Sequence, residues 1–90
     1  MRDAWILIIT CDRDSHVVKC KSYEAAYEYM KTELKAEVMA YEDLSDEEFD
    51  LLVNSGSADD WGIGTRYAWS SVGESYDWTI VNLKDCELIG

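Results

Sequence analysis

The chain lacks several features, and each absence excludes a class of protein. Proline does not occur among its 90 residues, which excludes polyproline docking segments and rigid proline spacers. The apolar run at residues 5–9 is far shorter than the roughly 18 to 20 apolar residues that span a bilayer. That run has neither the basic leader nor the cleavage site of a signal peptide. Three cysteines without a secretory signal therefore predict reduced thiols and a cytoplasmic protein.

Basic residues are also scarce, with 8 Lys and Arg against 19 Asp and Glu, for a formal net charge of −11. The imbalance is concentrated, because no basic residue lies between Lys35 and Arg66. The carboxylates of this acidic block are Glu37, Glu42, Asp43, Asp46, Glu47, Glu48, Asp50, Asp59 and Asp60. Such a charge repels nucleic acid and anionic membranes and attracts basic protein surfaces.

The apolar fraction of 48% is enough to support a folded core, so the chain is not expected to be disordered. Half of a chain this long could not bury a core of its own, which predicts one domain over residues 1–90. The N-terminal part reads as a β-hairpin, with a buried strand over 4–11 and a second strand over 16–21. If residues 12–15 form the loop, Cys11 faces His16 and Cys20 faces Leu7, which argues against a Cys11–Cys20 disulfide.

Two helices are predicted in the middle of the chain. The first begins after an N-cap at Ser22 and ends between Glu37 and Tyr41, with apolar residues at three- and four-residue spacing along one side. The second begins with a capping box, in which Ser45 is the N-cap and Glu48 the third helical residue. Gly56 is a natural stop for this second helix.

The C-terminal part reads as a second hairpin. Residues 61–70 follow a period of two, which predicts one strand: Trp61, Ile63, Thr65, Tyr67 and Trp69 alternate with Gly62, Gly64, Arg66, Ala68 and Ser70. A Gly73-Glu74 turn would place Trp69 opposite Trp78 and Tyr67 opposite Ile80. Residues 86–89 either extend the last strand or begin a short edge. The order β-β-α-α-β-β predicts an α+β single domain, a four-stranded antiparallel sheet with two helices packed on one face.

The aromatic rings and the few reactive side chains each allow a functional and a structural interpretation. The rings between Trp61 and Trp78 could form an exposed interface, but a small domain has to bury its largest apolar side chains, which favours a core role. Cys11 with His16 across the hairpin, or His16 with Asp14, could support catalysis, yet no third group is evident to orient the base. Paired cysteine spacings typical of zinc sites are missing. We therefore expect no enzyme activity, no cofactor and no metal.

The acidic block suggests the function. In being small and acidic, the chain resembles phage-encoded inhibitors of nucleases, some of which imitate the phosphate backbone of nucleic acid. The hypothesis is a non-catalytic protein that binds a basic, nucleic-acid-binding protein and does not itself bind nucleic acid or membrane. The predicted electrostatic face consists of Glu37, Glu42, Asp43, Glu47, Asp50, Asp59 and Asp60. Two alternatives stay open: the charge is only a solvated surface, or the protein is a generic interaction domain or homodimer that pairs through a sheet edge or exposed aromatic rings.

Overall fold

Two helices cover one face of a five-stranded sheet in the computed structural model, which describes residues 4–55 and 58–85. The elements in chain order are β1 (Trp5–Cys11), β2 (Asp14–Cys20), α1 (Tyr23–Tyr41), α2 (Asp46–Ser55), β3 (Trp61–Ile63), β4 (Tyr67–Ser70), β5 (Tyr76–Asn82) and a 3₁₀ helix (Leu83–Asp85). All neighbouring strands are antiparallel, in the order β2-β1-β5-β4-β3. The predicted α+β class and antiparallel sheet are confirmed, whereas the predicted number of four strands is wrong.

Both predicted helix starts are confirmed by their hydrogen bonds. The Ser22 hydroxyl accepts a hydrogen bond from the backbone N–H of Ala25 at 3.1 Å. At the start of α2, the Ser45 hydroxyl accepts from the Glu48 N–H while the Glu48 carboxylate accepts from the Ser45 N–H, each at 3.1 Å. This reciprocal pair satisfies two of the backbone donors that a helix leaves free at its N-terminus. The predicted stop at Gly56 lies outside the described residues.

The core lies between α1, α2 and the inner face of the sheet. On α1 the buried side chains are Ala26, Met30, Leu34 and Val38, which recur every four residues and belong to the side of the helix that the sequence predicted to be buried. The sheet contributes Leu7, Ile9, Trp61, Ala68, Trp78 and Ile80. Phe49 of α2 stacks on Trp61 with ring centroids 5.0 Å apart, so the helix contacts the sheet through an aromatic pair. Trp61 and Trp78 therefore have the core role that the sequence favoured.

The strand predicted over residues 61–70 is in fact two strands, β3 and β4, joined by a turn at residues 64–66. The Gly64 N–H donates to the Tyr67 carbonyl, and the Tyr23 hydroxyl of α1 donates to the Thr65 carbonyl. The sequence pattern did not reveal this turn. Ile63 and Tyr67 are an even number of positions apart, so the period of two in the sequence continues across the chain reversal. This extra reversal supplies the fifth strand.

The predicted pairing of β4 with β5 is wrong by one residue. Trp69 lies opposite Asp77 and Tyr67 opposite Thr79, because the connection is the five-residue loop 71–75 rather than a two-residue turn. A Cβ at Gly73 would lie 2.2 Å from the Tyr41 ring, so this glycine permits the loop to pack against α1. A shift of one residue moves every side chain of a strand to the other face.

The predicted register of the N-terminal hairpin is wrong as well. The turn is the dipeptide Asp12-Arg13, with Asp12 at φ 54°, a left-handed conformation that aspartate tolerates. Cys11 therefore lies opposite Asp14, not His16. The proposed Cys11–His16 pair is not formed by directly opposed residues.

Cys20 lies opposite Trp5 rather than Leu7 in the same register. Cys11 and Cys20 consequently lie at opposite ends of the hairpin, and both are free thiols. The expectation that they do not form a disulfide is confirmed.

The remaining expectation about the sheet concerned residues 86–89, which lie outside the described residues. Within residues 4–55 and 58–85, no helix is both long and apolar enough to cross a membrane.

Candidate acidic binding surface

One end of the molecule is formed by a hairpin turn, a loop and the C-terminus of α1. The N–H of Asp12, in the β1–β2 turn, donates to the carbonyl of Ser75 in the β4–β5 loop at 3.2 Å. The same loop packs under the ring of Tyr41, the last residue of α1, at Gly73. Chain segments that are far apart in sequence therefore meet at this end.

Carboxylates from these segments lie close together, and their electrostatic effects on each other are evident. A hydrogen bond with the Asp60 carboxyl raises the pKa of Glu42, and partial burial and the charge of Asp60 raise it further. Burial raises the pKa of Glu37, and the negative charge of Glu74 adds to the effect. In each case the charged form of the acid is disfavoured, mainly by the hydrogen bond for Glu42 and by burial for Glu37, and a neighbouring negative charge adds to both effects.

We call this region the acidic end, and its members are Glu37, Glu42, Asp43, Asp59, Asp60 and Glu74. Asp43 and Asp59 are placed there because each adjoins one partner of the Glu42–Asp60 pair in the chain. Among the described residues, none of these six carboxylates forms an ion pair.

The C-terminus of α1 adds to the negative potential. Glu42 is the C-cap of this helix, and the last turn contains no basic residue. Unpaired carbonyl groups give the C-terminus of a helix a partial negative charge, which cations usually offset. Here carboxylates surround it instead, so the local excess of negative charge is larger than the residue count alone indicates.

Two members of the predicted face, Glu47 and Asp50, lie along α2 rather than in the acidic end. Asp50 is 3.9 Å from the Lys31 ammonium group, and the neighbouring Asp46 is 3.1 Å from that of Lys35. The acidic block has no cation in its own sequence, but α1 supplies two by running alongside α2. Five of the seven predicted residues are thus gathered without ion pairs. The sequence missed Glu74, which only the β4–β5 loop brings to them.

Basic side chains gather at the opposite end of the sheet, around Trp5. The Arg66 guanidinium lies over the Trp5 ring, 5.1 Å from its centroid. Trp5 pairs with Cys20 on one side and with Asn82 on the other. Lys19 and Lys21 flank Cys20, and Lys84 lies two residues after Asn82. A seven-residue strand separates the two ends by about 20 Å. The charge is therefore polarised along the strands, although Arg13 lies in the β1–β2 turn at the acidic end, and Asp85 pairs with Arg66 at 3.6 Å at the other end.

Cys11 contributes a sulfur atom next to the carboxylates of the acidic end. Its thiol donates a hydrogen bond to the Glu74 carboxylate at 3.1 Å, and ligand atoms of Cys11, Asp12 and Glu74 lie within 4.8 Å of one another. The bond to Glu74, together with partial desolvation, raises the pKa of the thiol. Because the thiolate is the form that binds metals and attacks electrophiles, this environment disfavours both roles.

A second surface is the face of the sheet that the helices leave uncovered. Its apolar side chains are Ile6, Ile8, Val17, Tyr67, Trp69 and Val81, as the strand registers require. Val17 is 58% exposed and Tyr67 47% exposed. The Tyr67 hydroxyl donates to the Asp77 carboxylate, which raises the pKa of that tyrosine. The one-residue register shift put Tyr67 and Trp69 on this face, so the sequence did not predict it.

Comparison with models of protein families, with curated proteins and with solved structures found no match to this chain.

Proposed function

We propose that this protein is a non-catalytic binding protein whose acidic end occupies a basic, nucleic-acid-binding surface of another protein. In this role its carboxylates take the place of phosphates, as in an inhibitor of the nucleic-acid-mimic type. The proposal depends on one observation: Glu42 and Asp60 lie side by side with no basic side chain paired to either in the described part of the chain.

Such a pair is unfavourable in the free protein and becomes favourable when a cationic surface approaches. Repulsion between like charges costs free energy at neutral pH, and an arriving lysine or arginine relieves it. That difference between free and bound states contributes to affinity. The polarised charge would also orient the protein as it approaches a basic partner and increase the association rate.

Charge reversal at two sites tests the proposal. The variant D43K/D59K reverses two exposed charges of the acidic end, and E24K/E28K reverses two exposed charges near the other end of α1. Both variants change the net charge equally, so they separate local potential from overall charge. The circular dichroism spectra of both variants should match that of the natural sequence, which would show that both are folded.

The measurement is capture of proteins from a lysate by the tagged chain at low and at high salt. We expect the natural sequence and E24K/E28K to capture basic nucleic-acid-binding proteins that salt or competing DNA releases. D43K/D59K should not capture them. Equal loss in both variants, or capture that salt does not weaken, would contradict a specific acidic end.

Self-association is a second candidate function, and the uncovered sheet face favours it. Exposed apolar side chains across several strands are typical of surfaces that become buried in a complex. Because burial of apolar area would drive this association, salt should leave it unchanged or strengthen it. Sedimentation velocity at two salt concentrations, with the variant V17D, distinguishes this candidate from the first.

A further inference from the structure

A cleft of about 240 Å³ lies between α1 and β5, where α1 presents small and acidic side chains to the sheet. Glu33, Ala36, Glu37 and Ala40 have the three- and four-residue spacing that places them on one side of α1, and all four line the cleft. The two alanines are too small to fill the space beside the sheet. The two glutamates at the same side make the wall acidic.

The opposite wall is aromatic. Tyr76 and Trp78, two positions apart on β5, stack with ring centroids 5.2 Å apart and ring planes within 8° of parallel. Trp78 is 1% exposed, and its indole N–H is the one buried side-chain polar atom without a hydrogen-bond partner in the described part of the chain. An unpaired buried N–H is rare in native proteins and calls for an explanation.

The walls together define the chemistry of an occupant. Neither Glu33 nor Glu37 forms an ion pair with another described residue, so the carboxylates favour a cation. The Tyr76 ring, which is partly exposed and backed by the buried Trp78 ring, favours a flat cation that can stack on it. A guanidinium group meets both requirements, because it is planar and binds carboxylates through paired N–H groups.

We propose that this cleft binds an arginine side chain of the basic partner, between the carboxylates of Glu33 and Glu37 and the rings of Tyr76 and Trp78. The inference rests on the proposed function and assigns to it one specific contact. The acidic end would provide long-range attraction, and the cleft would select arginine over lysine at one position.

The test uses a small probe, so that it does not depend on finding the partner. N-acetyl-arginine amide is titrated into ¹⁵N-labelled protein, and the uncharged N-acetyl-citrulline amide, which has nearly the same shape, is the control ligand. We expect saturable shifts of the Trp78 indole signal and of the amides between Glu33 and Ala40 with arginine. Citrulline should bind about tenfold more weakly, the loss expected for one charge-assisted hydrogen bond.

Three variants locate the binding site. E33Q/E37Q should weaken arginine binding about tenfold, whereas E24Q/E28Q, which removes the same charge elsewhere on α1, should not. A36L fills the cleft without changing the charge and should also abolish the Trp78 shift. Equal binding of citrulline, or equal effects of the two glutamine variants, would overturn the proposal.

The outcome also separates this inference from the proposed function. If arginine amide does not shift Trp78 while salt-sensitive capture of basic proteins persists, the arginine cleft is wrong and the acidic end stands. If the cleft binds arginine but D43K/D59K captures proteins as well as the natural sequence, the role of the acidic end is wrong instead.

Discussion

The carboxyl groups of Glu42 and Asp60 lie side by side, although Glu42 caps α1 and Asp60 precedes β3, and a hydrogen bond with Asp60 is the main cause of the raised pKa of Glu42. A hydrogen bond between two carboxyl groups requires one of them to hold a proton. The pair therefore makes the stability of the fold depend on pH. Whether stability rises or falls with pH follows from the direction in which the pKa of Glu42 is shifted.

The first prediction concerns this pair. Because folding raises the pKa of Glu42 above its usual value of 4.5, the folded state binds the proton more tightly than the unfolded state. The interaction of protonated Glu42 with Asp60 therefore stabilises the fold fully at a pH below the pKa of Glu42 in the unfolded chain. This stabilisation is lost as the pH rises through the pKa of Glu42 in the folded protein. Glutamine donates the hydrogen bond at every pH, so E42Q should have the higher free energy of unfolding at pH 7. Its advantage should shrink as the pH falls toward 4.5.

Urea unfolding at several pH values measures this difference. E47Q is the matched control, because it removes one carboxylate from α2 without touching Asp60. If the curves of E42Q and E47Q stay parallel across the range, the Glu42–Asp60 bond does not contribute to stability.

The second prediction compares two glycines in the β3–β4 hairpin. A Cβ at Gly62 would lie 2.7 Å from the indole nitrogen of Trp69, whereas one at Gly64 would meet only the Tyr67 carbonyl at 3.6 Å. G62A should therefore destabilise the protein by about 1 kcal/mol through the displaced indole. G64A should be neutral or stabilising by up to about 1 kcal/mol, because alanine restricts the unfolded chain. Thermal unfolding with tryptophan fluorescence records both effects, and similar losses in the two variants would contradict this packing.

The third prediction concerns the start of α2. Removing the Ser45 hydroxyl leaves the Glu48 N–H without its acceptor, so S45A should cost about 1 kcal/mol of stability. S45D restores an acceptor and should recover most of the loss. Guanidinium unfolding of the three proteins provides the comparison. Equal stability of S45A and S45D would show that the cap has no energetic role.

The fourth prediction concerns the Cys11 thiol and bears on the enzymatic alternative. The Glu74 carboxylate accepts the thiol hydrogen bond and repels the thiolate, which together raise the thiol pKa. In a C20S/C86S background, alkylation at pH 8 should be slower than that of an unstructured cysteine peptide, and E74Q should accelerate it. E33Q, which removes a carboxylate that is not bonded to the thiol, should leave the rate unchanged. Rapid alkylation of the natural thiol would instead support a nucleophilic cysteine.

Local patterns were sufficient for the helix starts and for the buried side of α1. Ser22 and the Ser45–Glu48 box mark helix starts through hydrogen bonds within three residues, so no distant contact is needed to predict them. The stripe on α1 follows from helical periodicity alone. The nine-carboxylate block is equally visible, because charge does not depend on the fold.

The strand registers and the contacts between residues that are distant in sequence were not predictable in the same way. Whether residues 61–70 form one strand or two depends on a turn that the Tyr23 hydroxyl holds from another element. The β4–β5 pairing depends on a loop that packs under Tyr41. A shift of one residue decides whether Trp69 faces the core or solvent.

The sequence by itself determined an acidic α+β chain with two capped helices and an apolar core, because propensity, periodicity and capping act over a few residues. The tertiary structure decided which charges remain uncompensated. By laying α1 along α2 it placed Lys31 and Lys35 beside two aspartates, and by bringing together the end of α1, the start of β3 and the β4–β5 loop it left other carboxylates without cations. Coulomb interactions depend on distance in space rather than along the chain, so this arrangement could not be read from the order of the residues.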